Sequence, residues 1–338
     1  MPKKRATGKS TGGGRGGGAR SGGGGRGWRR VKFVFWFNVA LVAGIAGWFA
    51  VQPEVRRTEV LRLVDNSLER GKKVGPLDVI RDIWTLYYSQ DYVSAPELPG
   101  GRETHFYAGQ PRTTSAAAGV VRVLNNRGYA VGYSEQLGNP VWATYRIADI
   151  KDMKEPPPRP EVFEADSRTV ARVAPSDYSH SGYDRGHLAP NYAIATRYGP
   201  EAQRETFLMS NITPQKHALN AGPWKQLELK IATAYAARFN EVWVVAGPVF
   251  GPKPARLRGG VSVPEAFYMI VVDENEGRVN AQAFLFPQEA GAGGGGGAIG
   301  DYLTSIDEIE RRVGLDFFSE LPDASEAALE SRRPSRAW

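Results

Sequence analysis

The chain reads as an α+β domain on a mixed, mainly antiparallel sheet, preceded by a single N-terminal transmembrane helix. Two observations carry this reading. Short β-rich runs at 120–124, 129–133, 141–147, 241–247 and 267–272 are mixed irregularly with helical stretches, not in a strand–helix rhythm. Phe33 to Val51 is apolar apart from Asn38. The chain has 338 residues and no cysteine, which excludes disulfides, thiolate zinc sites and cysteine nucleophiles.

From the N-terminus, residues 1–30 are mainly Gly with Arg, Lys and Ser, a composition that cannot bury enough apolar surface to fold. They are expected to form a disordered basic tail. Gly8-Lys9-Ser10-Thr11 lacks the upstream glycine and the preceding strand of a phosphate-binding loop. Residues 31–52 form the expected membrane helix. Nineteen residues at about 1.5 Å each give roughly 28 Å, close to the hydrocarbon thickness of a bilayer. Trp36 and Trp48 suit the two interfaces. A buried soluble helix is the plain alternative. A cleaved signal peptide fits less well, because Gly47-Trp48-Phe49-Ala50 is a poor cleavage site. Ten Lys/Arg and no acid in residues 1–32 place the N-terminus in the cytoplasm and the bulk of the chain on the extracytoplasmic (periplasmic) side. The mitochondrial inner membrane is the lesser alternative, since the tail is too Gly-rich for a good amphipathic presequence.

Residues 53–100 carry apolar positions at helical spacing and read as a helical stalk. Residues 101–322 form the main domain, with helices expected at 224–239 and 299–313. Residues 323–338 are charged and expected to fray. The net charge of +7 belongs to the tail: residues 33–338 keep 33 Lys/Arg against 36 Asp/Glu, a net of −3. Any contact with a polyanion must therefore come from a local basic cleft.

The chemistry concentrates in Asp184-Arg185-Gly186-His187, then Asn211, Asn220 and Glu228. Imidazole titrates near neutrality, so His187 is the natural base. On a strand, Arg185 would share its face and Asp184 would point the other way, fixing a neighbouring turn. Asn220 precedes a helix, and taken alone it is a helix cap. Glu228, eight residues on, lies about 80° round the helix and can address the same place. Amide and carboxylate oxygens suit Mg²⁺, Mn²⁺ or Ca²⁺ rather than zinc. His105, His180 and His217 have no spacing that demands a metal.

These motifs, with Ser210-Asn211-Ile212-Thr213-Pro214-Gln215 and Leu219-Asn220-Ala221-Gly222-Pro223-Trp224, resemble the DNA/RNA non-specific endonucleases over roughly 103–321. The resemblance implies a ββα-metal active site and metal-dependent hydrolysis of DNA and RNA with one Mg²⁺ (or Mn²⁺). It implies His187 as general base, Asn220 as direct metal ligand and Glu228 as a carboxylate holding metal-bound water. It implies Arg185 as a clamp on transition-state charge, and Asn211 and Gln215 as site-shaping contacts near metal and phosphate. For a further upstream arginine, Arg168 is expected, with Arg159 the rival. A homodimer is compatible with it. Two other readings stay open: a catalytically silent nucleic-acid-binding or uptake subunit, and a phosphodiesterase acting on small nucleotides.

Overall fold

The computed structural model describes residues 24–54, scattered positions between 57 and 94, and 105–338 apart from 152–154, 276 and 293–296. Most of the expected tail, the Gly8–Thr11 segment and much of the expected stalk lie outside these residues. The chain divides into two compact units, Met1–Glu59 and Val60–Trp338.

In the first unit, one helix spans Gly24–Ala50. It starts inside the stretch expected to lack regular structure. Its apolar side chains, Phe33, Phe35, Trp36 and Phe37 among them, are exposed. The polar exception, Asn38, donates from Nδ2 to the Val34 carbonyl at 2.7 Å and so satisfies itself on its own helix.

In the second unit the strands are, in chain order, β1 (Val93–Ser94), β2 (Arg112–Thr113), β3 (Val121–Asn126), β4 (Tyr129–Ser134), β5 (Asn139–Ala148), β6 (Asp184–His187), β7 (Ile212–Gln215), β8 (Glu241–Val249), β9 (Ala266–Asn275), β10 (Arg278–Pro287), β11 (Leu303–Thr304) and β12 (Leu315–Asp316). The main sheet runs β1-β10-β9-β8-β5-β4-β3, with β11 also on β10. Every pairing between these strands is antiparallel. β3 and β4 join through Gly128, whose φ of +86° suits glycine in the tight turn.

Both faces of the sheet are covered, which is why its strands read as continuous apolar runs. On one face Val242, Val244, Phe267, Met269 and Phe284 pack with Leu219, Trp224, Leu227 and Ile231. On the other, Trp243, Val245, Tyr268 and Ile270 pack with Ile306, Ile309, Phe317 and Leu329. The first layer is a broken helical run: His217–Leu219, a wide π-type turn Asn220–Trp224, Lys225–Lys230, a second such turn Ile231–Tyr235, and Ala236–Phe239. Pro223 and the non-helical Gly222 explain the first irregularity. We call this run the site helix.

Three expectations are corrected. The stalk supplies β1, which pairs with β10, so the domain's sheet draws on chain before residue 101. The helix expected over 299–313 is broken: Ile299–Tyr302 is a single 3-10 turn, and the α-helix is Ile306–Val313, capped by Ser305 and closed by Gly314 at φ +64°. Ahead of it, β11 pairs with β10 instead. The C-terminus does not fray: a helix spans Asp323–Glu330. Beyond it Trp338 packs on Tyr235 and Phe239 (ring centroids 5.5 and 4.9 Å). The Trp338 amide donates to Gln282 Oε1, and its carbonyl accepts from Lys230 Nζ. A single buried-edge aromatic outweighs the charged composition of the segment.

Candidate active site

β6 and β7 form a separate two-stranded ribbon, with Asp184 opposite Gln215 and His187 opposite Ile212. The chain then turns directly into the site helix, giving a β–β–α layout. Gln288 fastens the ribbon to the rest of the unit. It accepts from the Lys216 amide at 2.8 Å and donates to the Pro214 and Pro264 carbonyls. Gly186 must be glycine: a Cβ there would sit 2.4 Å from Gln215 Oε1.

A cleft of about 380 Å³ opens at this ribbon, lined by Arg159, Arg185, His187, Asn191, Asn220, Lys225 and Glu228. An adjoining hollow of about 290 Å³ shares Arg159, Arg185 and Asn220 and adds Asp184 and Tyr183. His187 stands against Phe163 and Phe207, ring centroids 5.5 and 5.0 Å away. Its Nε2 is buried without a hydrogen-bond partner. Burial, reinforced by the positive charge of Arg159, pushes the ring down to about 3, so it is neutral at ordinary pH. Glu228 has the opposite problem. Burial pushes its carboxyl up to about 8, with Trp224, Lys225 and Arg159 pulling it back, and its Oε1 has no partner.

The arginines rest on aromatic rings. The Arg185 guanidinium lies 4.7 Å from the Phe163 centroid, and that of Arg159 5.2 Å from Phe207. Stacking fixes each carbon plane and leaves N–H edges for an anion. Asp184 Oδ2 accepts from Asn220 Nδ2 at 2.9 Å and lies 2.8 Å from His217 Nδ1. With its amide nitrogen so held, Asn220 has its carbonyl oxygen on the opposite side. The turn that Asp184 fixes is therefore the start of the site helix.

Of the residues singled out in the sequence, Arg185, His187, Asn220 and Glu228 meet in the cleft; three others do not. Asn211 is fully buried and clamps the chain after His187. Its Oδ1 accepts from the Ala189 amide, and its Nδ2 donates to the Ala189 and Thr206 carbonyls. Both amide hydrogens are used, so it has no donor to offer a phosphate. Gln215 is buried beneath Gly186, away from the cleft lining. Arg168 is also corrected. It grips the buried Asp166 carboxylate through Nε and Nη2 (2.9 and 2.6 Å) and reaches Asn125 O and Asn126 Oδ1. Arg159 is the upstream arginine in the cleft. Asn191 and Lys225 went unassigned in the sequence. The signal for Asn191 was there, two residues after Ala189 at a proline-marked helix start, and its buried Oδ1 has no partner.

The family model for DNA/RNA non-specific endonucleases matches residues 111–324. The chain belongs to the DNA/RNA non-specific endonuclease family. Membership makes it an enzyme of the endonuclease class, one that hydrolyses nucleic acid. It is 28% identical over 260 residues to a mitochondrial nuclease EXOG of Xenopus laevis, covering 70% of this chain and 67% of the relative. It is 33% identical over 169 residues to a nuclease of Serratia marcescens, covering 47% of this chain and 61% of that protein. A Nostoc nuclease is 31% identical over 216 residues, 60% of this chain and 76% of the relative. Among solved structures, an EndoG/EndoGI complex matches with a TM-score of 0.53 at 23% identity, covering 61% of this chain and 89% of the matched one. That likeness speaks to the fold.

Proposed function

We propose that this chain is a membrane-anchored, metal-dependent endonuclease that cuts the phosphodiester backbone of DNA and RNA, with His187 as the base. The observation that carries the reading is the cleft itself: an uncharged, half-buried histidine, two arginines set over aromatic rings, and the amide of Asn220 with the carboxyl of Glu228.

The donor set fits a hard divalent cation such as Mg²⁺. Asn220 offers an amide oxygen, and Glu228 has a buried carboxyl oxygen without a partner. A cation's charge would also favour the ionised form of Glu228, which burial alone opposes. When bound, such an ion polarises the phosphoryl oxygen and stabilises the departing 3′-oxygen. His187 is neutral at working pH and so able to accept the proton of the attacking water, and the negative charge of a bound phosphodiester would raise its basicity above the level set by burial. Arg185 and Arg159 hold the scissile phosphate and neutralise the charge that grows on it. Asp184 keeps the Asn220 amide turned to the cleft. Contacts to phosphate rather than to base edges give cutting without sequence or sugar preference.

The Gly24–Ala50 helix supplies the anchor in this reading, with the basic tail in the cytoplasm and Val60–Trp338 on the far side. The mitochondrial relatives make the inner mitochondrial membrane the alternative address. Plasmid DNA and a long RNA, each incubated with Mg²⁺ and with excess chelator, test the function. Cleavage of both only with metal is expected. Turnover of dinucleotide analogues alone, or binding without cutting, would replace this reading.

A further inference from the structure

On the face of the main sheet opposite the site helix, three carboxylates converge from two helices. Asp307 and Glu310 belong to Ile306–Val313, and Glu330 ends Asp323–Glu330. Each offers an oxygen within 4.8 Å of one from each of the others. Acid clusters on surfaces are common and normally spread into water. This one differs in its third member. Glu330 is only 6% exposed, and its Oε1 is buried without any hydrogen-bond partner. A buried charge-bearing oxygen with no hydrogen-bond partner and only carboxylates beside it calls for a proton or a cation.

The surroundings sharpen the choice. Burial raises the Glu330 carboxyl, and the charged groups that raise it further are Glu310, Glu326, Asp307 and Asp316, all carboxylates. Glu310 already spends Oε1 on the Phe317 amide at 2.7 Å. The geometry suits calcium. Oxygens at 2.3–2.6 Å from one ion stand up to about 5 Å apart. The donors are all oxygens and no histidine joins them, which disfavours zinc.

We propose that Asp307, Glu310 and Glu330 form a divalent-cation site of the calcium type, separate from the catalytic cleft, that ties the C-terminal helix to Ile306–Val313. Exposed Asp307 leaves the site open to solvent for entry and for water to complete the coordination. The site is structural, because none of the three residues lines the cleft. The chain it fastens runs on to Trp338, which packs on the end of the site helix.

The test uses the full chain in detergent, stripped with chelator and titrated with calcium chloride. An Asn220→Ala background keeps the cleft from contributing. One calcium per chain by calorimetry is expected, with a rise in Tm of roughly 5 °C or more at saturation. Asp307→Asn, at an exposed position that leaves folding intact, should weaken binding at least tenfold, and Glu330→Gln should do the same. In the otherwise native chain, Asp307→Asn should leave Mg²⁺-dependent plasmid cleavage unchanged. No calcium bound in the Asn220→Ala background would overturn the proposal. So would binding undiminished by both substitutions. A parent chain whose Tm does not respond to calcium, with Glu330→Gln at least as stable, would show that Glu330 carries a proton instead.

Discussion

Arg168 grips Asp166 with two nitrogens, and Ser210 adds a third bond to the same carboxylate at 2.6 Å. That arrangement lowers the Asp166 acid below its usual range despite burial. Arg159 makes no comparable commitment; it lies over Phe207 in the cleft. The two arginines should therefore separate cleanly. Arg168→Ala leaves a buried carboxylate under-paired and is expected to cost about 2 kcal/mol of stability by denaturant titration. Arg159→Ala is expected to slow cleavage about 100-fold with Tm unchanged. Glu228 makes a different prediction. Its folded carboxyl keeps a proton to about pH 8 that the unfolded chain loses above about 4.5. The stability it contributes is present below about 4.5 and is lost as pH rises through 8. In chelator, Tm of the wild type should fall more between pH 5 and 8 than Tm of Glu228→Gln. His187, held down at about 3, acts alike in both proteins and cancels. Parallel curves would contradict the burial of Glu228.

At the scale of elements, a close approach of Gly186 to Gln215 sits inside the ribbon, and Asp184 ties the ribbon to the site helix through Asn220 and His217. Gly186→Ala puts a Cβ against Gln215 and should cost about 1–3 kcal/mol, read as a lowered Tm. Unchanged stability would mean that the ribbon yields easily. Much of this layout is legible in the sequence. The strand period placed Arg185 and His187 together, and the helix period placed Asn220 near Glu228. What is not legible is which polar side chains are used up. Asn211 and Arg168 carry suitable chemistry but are committed to Ala189 and Asp166, partners 22 and 2 residues away in the chain, while Gln215 is buried beneath Gly186 with neither polar atom hydrogen-bonded. Composition also misjudges the C-terminus, where Leu329 enters the core and Trp338 packs on Tyr235 and Phe239. The β10 strand was missed because its Asn280 and Gln282 interrupt the apolar pattern while pairing within the sheet.

For the whole molecule, charge sets the limit. Residues 33–338 carry a net of −3, yet the cleft holds Arg159, Arg185 and Lys225. Three phosphate contacts predict a slope of about −3 for log of affinity against log of salt, measured by DNA binding with His187→Ala protein. A slope near −10 would mean that a far larger basic surface takes part. The apolar helix Gly24–Ala50 and the nuclease unit belong to one chain, so the proposed anchoring is tested on the intact protein. The central claim, however, concerns a single ring. Plasmid cleavage in Mg²⁺ by the full chain and by His187→Ala, with circular dichroism of both, tests it most directly. The account predicts a loss of at least about 100-fold with the fold intact; a folded His187→Ala chain that cuts at the wild-type rate would contradict it.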